Sequence, residues 1–153
     1  MSTVTDVYGT TTVFTHTLAS LASSAAGVGR QSNVVTGNTA YSALIGVKFT
    51  VGITPTANTL IYVYLIRGDG TLIDDNAGAS DAGITIINAP LLGTILCSAA
   101  TSNVAYYGMF DTKFLGSLGK SFGIAIVNST GATANSTGGN FSTEYTLITP
   151  TIT

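Results

Sequence analysis

A chain of 153 residues makes about one domain and can bury a core without a disulfide or a metal to staple it. Only 8% of it is charged, against roughly 25% in an average soluble protein, yet 45% is hydrophobic, so Thr, Ser, Gly and Ala stand where charge would be. The net charge is −2, and the cations are scattered at positions 30, 48, 67, 113 and 120, which excludes a phosphate-backbone binder of nucleic acid.

The N-terminus, MSTVTDVYGTTT, lacks the basic start and apolar run of a secretion signal, so the protein is expected to stay where it is made. The Thr-rich ends, 2–12 and 149–153, read as extended arms, with 1–12 as the N-terminal arm of a single domain spanning 1–153. Residues 11–18 (TTVFTHTL) read as a strand. The Ala-rich segment 18–26 (LASLASSAA) is the one helical candidate, short and without a clear cap. Residues 41–51 alternate: Tyr41, Ala43, Ile45, Val47, Phe49 and Val51 share one face, and Ser42, Leu44, Gly46, Lys48 and Thr50 the other. That period marks a half-buried strand. Residues 59–67 (TLIYVYLIR) are apolar on both faces and suit a strand covered on both sides. Asp69-Gly70 then reads as a hairpin reversal. Further strands are expected at 91–97, 104–111, 122–128 and 140–148, with short ones at 71–73 and 84–87. The uncharged run from Ala82 to Phe110 contains Asn88, Pro90 and Asn103, so it reads as strands and turns, not as a membrane span. About eight short strands without a helical period predict an all-β antiparallel sandwich or barrel. With so few charges to repel neighbours, its edges are expected to be covered by other subunits.

Little in the chain carries catalytic chemistry. One histidine (His16) and one cysteine (Cys97) cannot make a typical structural zinc site. No GxSxG elbow singles out a serine, and Cys97, in an apolar run, reads as a small buried hydrophobe. Gly119-Lys120-Ser121 lacks the earlier glycine of a phosphate loop and precedes a strand, not a helix. Three Asn-x-Ser/Thr sequons are about what this Ser- and Thr-rich composition yields by chance. The stretch RGDGTLIDDNAGASD (67–81) contains an adhesion-like RGD and four of the seven acidic residues. Calcium requires spaced oxygens, and no DxDxDG pattern is present, so the aspartates read as a solvated loop facing away from any docking surface. No catalytic, cofactor or metal residue is assigned, and the chain is not read as an enzyme.

Taken together, VYGTTTVFTHTLASLASSAAGVGRQS, YSALIGVKFTVG, PTANTLIYVYLIRGDGT, APLLGTIL, YYGMFDTKFLGSLGKSFGIAIVNSTGA and NFSTEYT resemble small structural proteins of tailed bacteriophages, over about residues 7–147. They are similar to the jelly-roll decoration, or cement, proteins of phage heads. The resemblance implies a jelly-roll β-sandwich on the virion surface, assembled in the bacterial cytoplasm. Its partners would be the major capsid protein and further copies of itself, as a homodimer or homotrimer. It carries over no catalytic residues, and neither nucleic acid nor membrane is an expected partner. Within the N-terminal arm, Val4, Val7 and Tyr8 are the expected anchors, because an extended arm adds to a neighbour's sheet edge. Tyr106, Tyr107, Phe110 and Phe114 are second candidates, with core packing the competing explanation. The alternative function is a tail- or fibre-associated module that binds host-surface glycans, because a fold does not decide between such tasks.

Overall fold

From its first strand the chain passes back and forth between two antiparallel sheets. The structure, a computed structural model, describes residues 3–24 and 27–152. Along it run β1 (Val4–Tyr8), β2 (Thr12–Val13), β3 (Val28–Gln31), β4 (Val35–Thr36), β5 (Ser42–Thr50), β6 (Thr59–Gly68), β7 (Ala82–Thr85), β8 (Leu91–Cys97), β9 (Ala105–Asp111), β10 (Ser121–Ser129) and β11 (Ser142–Ile152). The first sheet has the order β1-β11-β5-β9, with β2 also on β11. The second has the order β7-β3-β10-β6-β8, with β4 also on β10. Without the short β2, β4 and β7, two four-stranded sheets remain, interleaved in sequence as the two Greek keys of a jelly roll.

The core is what alternation places between the sheets. Ala43, Ile45, Val47 and Phe49 of β5 face Ile61, Val63 and Leu65 of β6 and Phe122, Ile124 and Ile126 of β10. Tyr41, at the head of the predicted pattern, is instead 48% exposed, because the strand begins only at Ser42. Three rings knit one end: Phe14 lies 4.7 Å from Tyr145, and Phe122 meets Tyr145 edge-on at 5.3 Å. Edge-on pairing is favoured by the ring quadrupoles. Cys97 is fully buried, and burial pushes its thiol up to about 11.

Several boundaries differ from expectation. The 18–26 segment is not helical over its described part, Leu18–Ser24; Ala25 and Ala26 lie outside the described residues. Ser20 takes a left-handed φ of 59°, and its N–H bonds to the Asn135 carbonyl, while Ala134 donates to the Leu21 carbonyl. The segment's polar backbone is thus spent on the 128–135 turn, where Asn128 Nδ2 also donates to the Leu21 carbonyl at 3.0 Å. The 11–18 strand shrinks to Thr12–Val13. Phe14 turns into the core and Thr15 exchanges bonds with Asn33, because the chain is crossing from the first sheet to the second. Residues 71–73 are no strand, and only Ile73 bridges to Gly68 across a tight turn. The 84–87 strand lies at Ala82–Thr85.

The two arms pair with each other. Strand β11 continues past its expected end at 148, and Val4 pairs with Ile152, Asp6 with Pro150 and Tyr8 with Ile148. The outermost expected arm residues, Ser2 and Thr153, lie outside the described residues. Gly9 donates to the Leu147 carbonyl, which sets the ladder's phase, so the missing N–H of Pro150 faces away from β1, where β5 no longer follows.

The second sheet wears a strap. Residues 69–90, between β6 and β8, cross its outer face to the far edge, where β7 pairs with β3, and place Ala77, Ile84 and Ala89 on Ile66 and Ala125. This is why TLIYVYLIR is apolar on both sides. Antiparallel sheets often leave one face in water, but here the strap covers the Ile66–Ala125 part of the outer face, while Leu96 of β8 stays exposed.

Candidate functional site

The chemistry-bearing side chains are dispersed and already engaged. His16 is half-buried near the end of the strap, with Nε2 2.9 Å from the Arg30 carbonyl and a buried Nδ1 without a hydrogen-bond partner among the described residues. Burial lowers its pKa to about 4, against the opposing pull of the Arg30 carbonyl and Asp81. Among the described residues no serine or cysteine hydrogen-bonds to it.

The aspartates do not make a solvated loop. Asp69 alone is exposed, and its Oδ1 accepts from the N–H groups of Thr71 (2.7 Å) and Leu72 (2.8 Å), which lowers its pKa and closes the RGDG reversal. Asp74 accepts from the Arg67 N–H at 3.0 Å. Asp75, at a left-handed φ of 55°, accepts from the N–H groups of Asn88 and Ala89. Asp81 pairs with Arg30 at 2.5 Å and accepts from Thr17 N–H at 2.9 Å. Burial alone would raise Asp81, but its bonds from Arg30 and Thr17 outweigh that and hold it below the usual carboxylate range. Gln31 completes the fastening, donating to the carbonyls of Gly78 and Ser80 at 2.8 Å each. The carboxylates are staples of the strap, satisfying backbone N–H groups that would otherwise be costly to bury. They do not converge, and no group of three metal-ligating side chains exists among the described residues.

A groove of about 790 Å³ lies beside the RGDG turn, between Arg67, Asp69, Leu72, Ile87, Asn88 and Lys120. Its acids are the same staples, and no aromatic ring lines it.

Two of the most exposed apolar side chains, Leu72 and Ile87, stand at this groove, and others lie on the ribbon and the first sheet. Val4 (65% exposed), Val7 (49%) and Tyr8 (59%) all lie on the ribbon made by β1 and the end of β11. Alternation puts Val4 and Tyr8 on one side and Val7 on the other, so the ribbon does not unite the three in one patch. Asp6, on the Val4 side, pairs with Lys113 at 3.2 Å and ties the ribbon to the 3₁₀ turn Thr112–Leu115. That turn carries Phe114, the most exposed large apolar side chain of the described residues at 91%. Among the second candidates, Tyr106 and Phe110 point inward. Phe110 lies against the α-carbons of Gly93 and Gly108, where no side chain would fit. Tyr107 (70% exposed) and Met109 (75%) point outward on β9.

Around Tyr107 and Met109 the first sheet is bare. Register places Ser142, Lys48 and Tyr107 in one row across β11, β5 and β9, and Glu144, Gly46 and Met109 in the next. A shallow depression of about 490 Å³ lies over Gly46. Glu144 lies down across that glycine: a β-carbon there would sit 3.0 Å from its Cγ and Oε1. Sequence alternation showed Lys48 and Gly46 to share the outer face of β5, but not that Glu144 joins them, 96 residues further along the chain.

No protein-family model, curated protein or solved structure matches this chain.

Proposed function

We propose that the chain is a virion structural protein, a decoration or cement protein of a tailed-phage head. In this reading it binds the outside of the shell, bridges neighbouring major capsid proteins and self-associates as a dimer or trimer, without a cofactor and without catalysing a reaction. The supporting observation is the division of labour among its side chains. Titratable groups are largely used inside the fold, while the ribbon, the first sheet and the 3₁₀ turn beside them carry exposed apolar groups, Val4, Val7, Tyr8, Tyr107, Met109 and Phe114; others stand at the RGDG groove, Leu72 and Ile87, and on β8, Leu91 and Leu96. Such a surface docks with little desolvation cost, and a weak contact repeated on a symmetric lattice becomes firm through effective concentration. The ribbon supplies the shell contact, because β1 is a sheet edge with unpaired backbone groups and apolar side chains. The competing glycan-binding reading has the RGDG groove as its cleft, but no aromatic ring lines it for a sugar to stack on.

Binding to expanded heads that lack the protein tests the reading. The chain is expected to decorate them, and V4S/V7S/Y8S to weaken binding at least about tenfold at unchanged thermal stability. A chain indifferent to such heads, or a triple variant that binds as tightly, refutes it.

A further inference from the structure

We infer that the bare outer face of β5, β9 and β11 is where two copies of this chain pack face to face about a two-fold axis, with Lys48 of each copy against Glu144 of the other. This rests on the self-association part of the reading above and not on the shell.

The charges argue for it first. Twelve residues carry charge in the whole chain. Arg30, Arg67 and Lys113 pair with Asp81, Asp74 and Asp6, and the other aspartates accept backbone N–H bonds. Lys48, Lys120 and Glu144 do neither; Lys120 lies at the RGDG groove, whereas Lys48 and Glu144 sit in adjacent rows of the same sheet, and among the described residues neither forms an ion pair or a side-chain hydrogen bond. One cation and one anion, unspent and side by side, give the face no net charge, so a partner of single sign gains nothing from it. A second copy gains twice, because a two-fold axis exchanges the two positions: residue i meets j while j meets i. Complementary charges of this kind fix register more than they add affinity.

Shape is self-complementary in the same way. The face bears both the projections and the recess: Tyr107 and Met109 stand out from β9, and beside them the sheet is hollowed over Gly46. A copy turned through the two-fold lays its β9 side chains toward the other's recess. Aromatic and Met side chains are the types enriched at the centres of protein interfaces. The second sheet already has its own cover in the strap, so the two unlike faces of one sandwich are closed by different means, one in cis and one in trans.

Sedimentation equilibrium on the full chain, up to about 0.5 mM, decides the matter by charge exchange. The parent chain is expected to be a dimer. K48E and E144K each put like charges together and are expected to weaken self-association roughly tenfold or more. Mixing the K48E chain with the E144K chain, or making both changes in one chain, is expected to restore it, because the pattern is again complementary. Circular dichroism is expected to be unchanged, since both positions are on the surface. A monomer at every concentration, a trimer, or a dimer indifferent to both single changes overturns the inference. So does a K48E chain that dimerises normally but no longer binds heads, which would assign this face to the capsid. Loss of head binding by the ribbon variant with dimerisation intact leaves this inference standing and tests the shell reading separately.

Discussion

Over the second sheet, the 69–90 strap lays Ala77, Ile84 and Ala89 onto Ile66 and Ala125; over the first, no part of the described chain covers Tyr107, Met109 or Lys48. Both outer faces begin with apolar residues at outward positions. What differs is the connection nearby. Between β6 and β8 the chain has enough length to cross the sheet, and Asp74, Asp75, Asp81 and Gln31 supply the acceptors and donors that a buried, irregular backbone requires. Among the described residues the first sheet has no such connection across it. The acidic cluster is therefore a fastening: it converts a loop into a second layer.

Ile66→Ala against Met109→Ala is the largest test of that contrast. Ile66 is fully buried beneath the strap, so its truncation is expected to cost about 3–4 kcal/mol in denaturant unfolding. Met109→Ala is expected to stay within about 0.5 kcal/mol in the monomer. Equal losses would mean that the strap does not cover its sheet.

Titration separates the two faces next, because His16 lies on the strapped side. Its folded pKa is depressed from 6.5 to about 4, so the folded state resists a proton that the unfolded chain accepts. Stability is therefore full above pH 6.5 and falls as the pH drops toward 4, by roughly 3 kcal/mol for a depression of this size. Asp81, also depressed, adds its own loss only below the ordinary carboxylate value of 3.8. Unfolding free energies measured at pH 7 and 4.5 are expected to differ in the parent chain and to converge in His16→Gln; a slope surviving that substitution would move its origin away from His16.

The smallest expected effect sharpens where the strap begins. Asn closes the same turn as Asp69, so Asp69→Asn is expected to change stability by less than about 0.5 kcal/mol and to leave head binding intact. A loss of head binding would place the RGDG turn at the docking surface.

Strands whose side chains alternate or run apolar were legible from sequence, β5, β6, β8 and β10 nearly to the residue. β3 was not. Its Gly29 has to lie against the Ile126 carbonyl, where a β-carbon would collide, so the position that brings it to β10 carries no pattern. The helix at 18–26 failed because Ala propensity is weak beside the tertiary bonds that claim Ser20 and Leu21. Among the candidate anchors, exposure of Val4, Val7 and Tyr8 agrees with an outward arm, but their division between two sides follows from pairing with β11. The staples escaped notice because a carboxylate's partner, such as Ala89 N–H for Asp75, is a backbone group fourteen residues away, and no composition marks it.

The pairing of Val4 with Ile152 also has a mechanical side. Ladder bonds in an antiparallel pair run perpendicular to the strands. A pull applied between the two ends of the chain therefore acts along those bonds and opens them one rung at a time, from Val4 toward Tyr8, like a zipper. The ribbon is the compliant end of the sandwich, and a load that enters through the termini is spent there before it reaches the rings of Phe14, Phe122 and Tyr145.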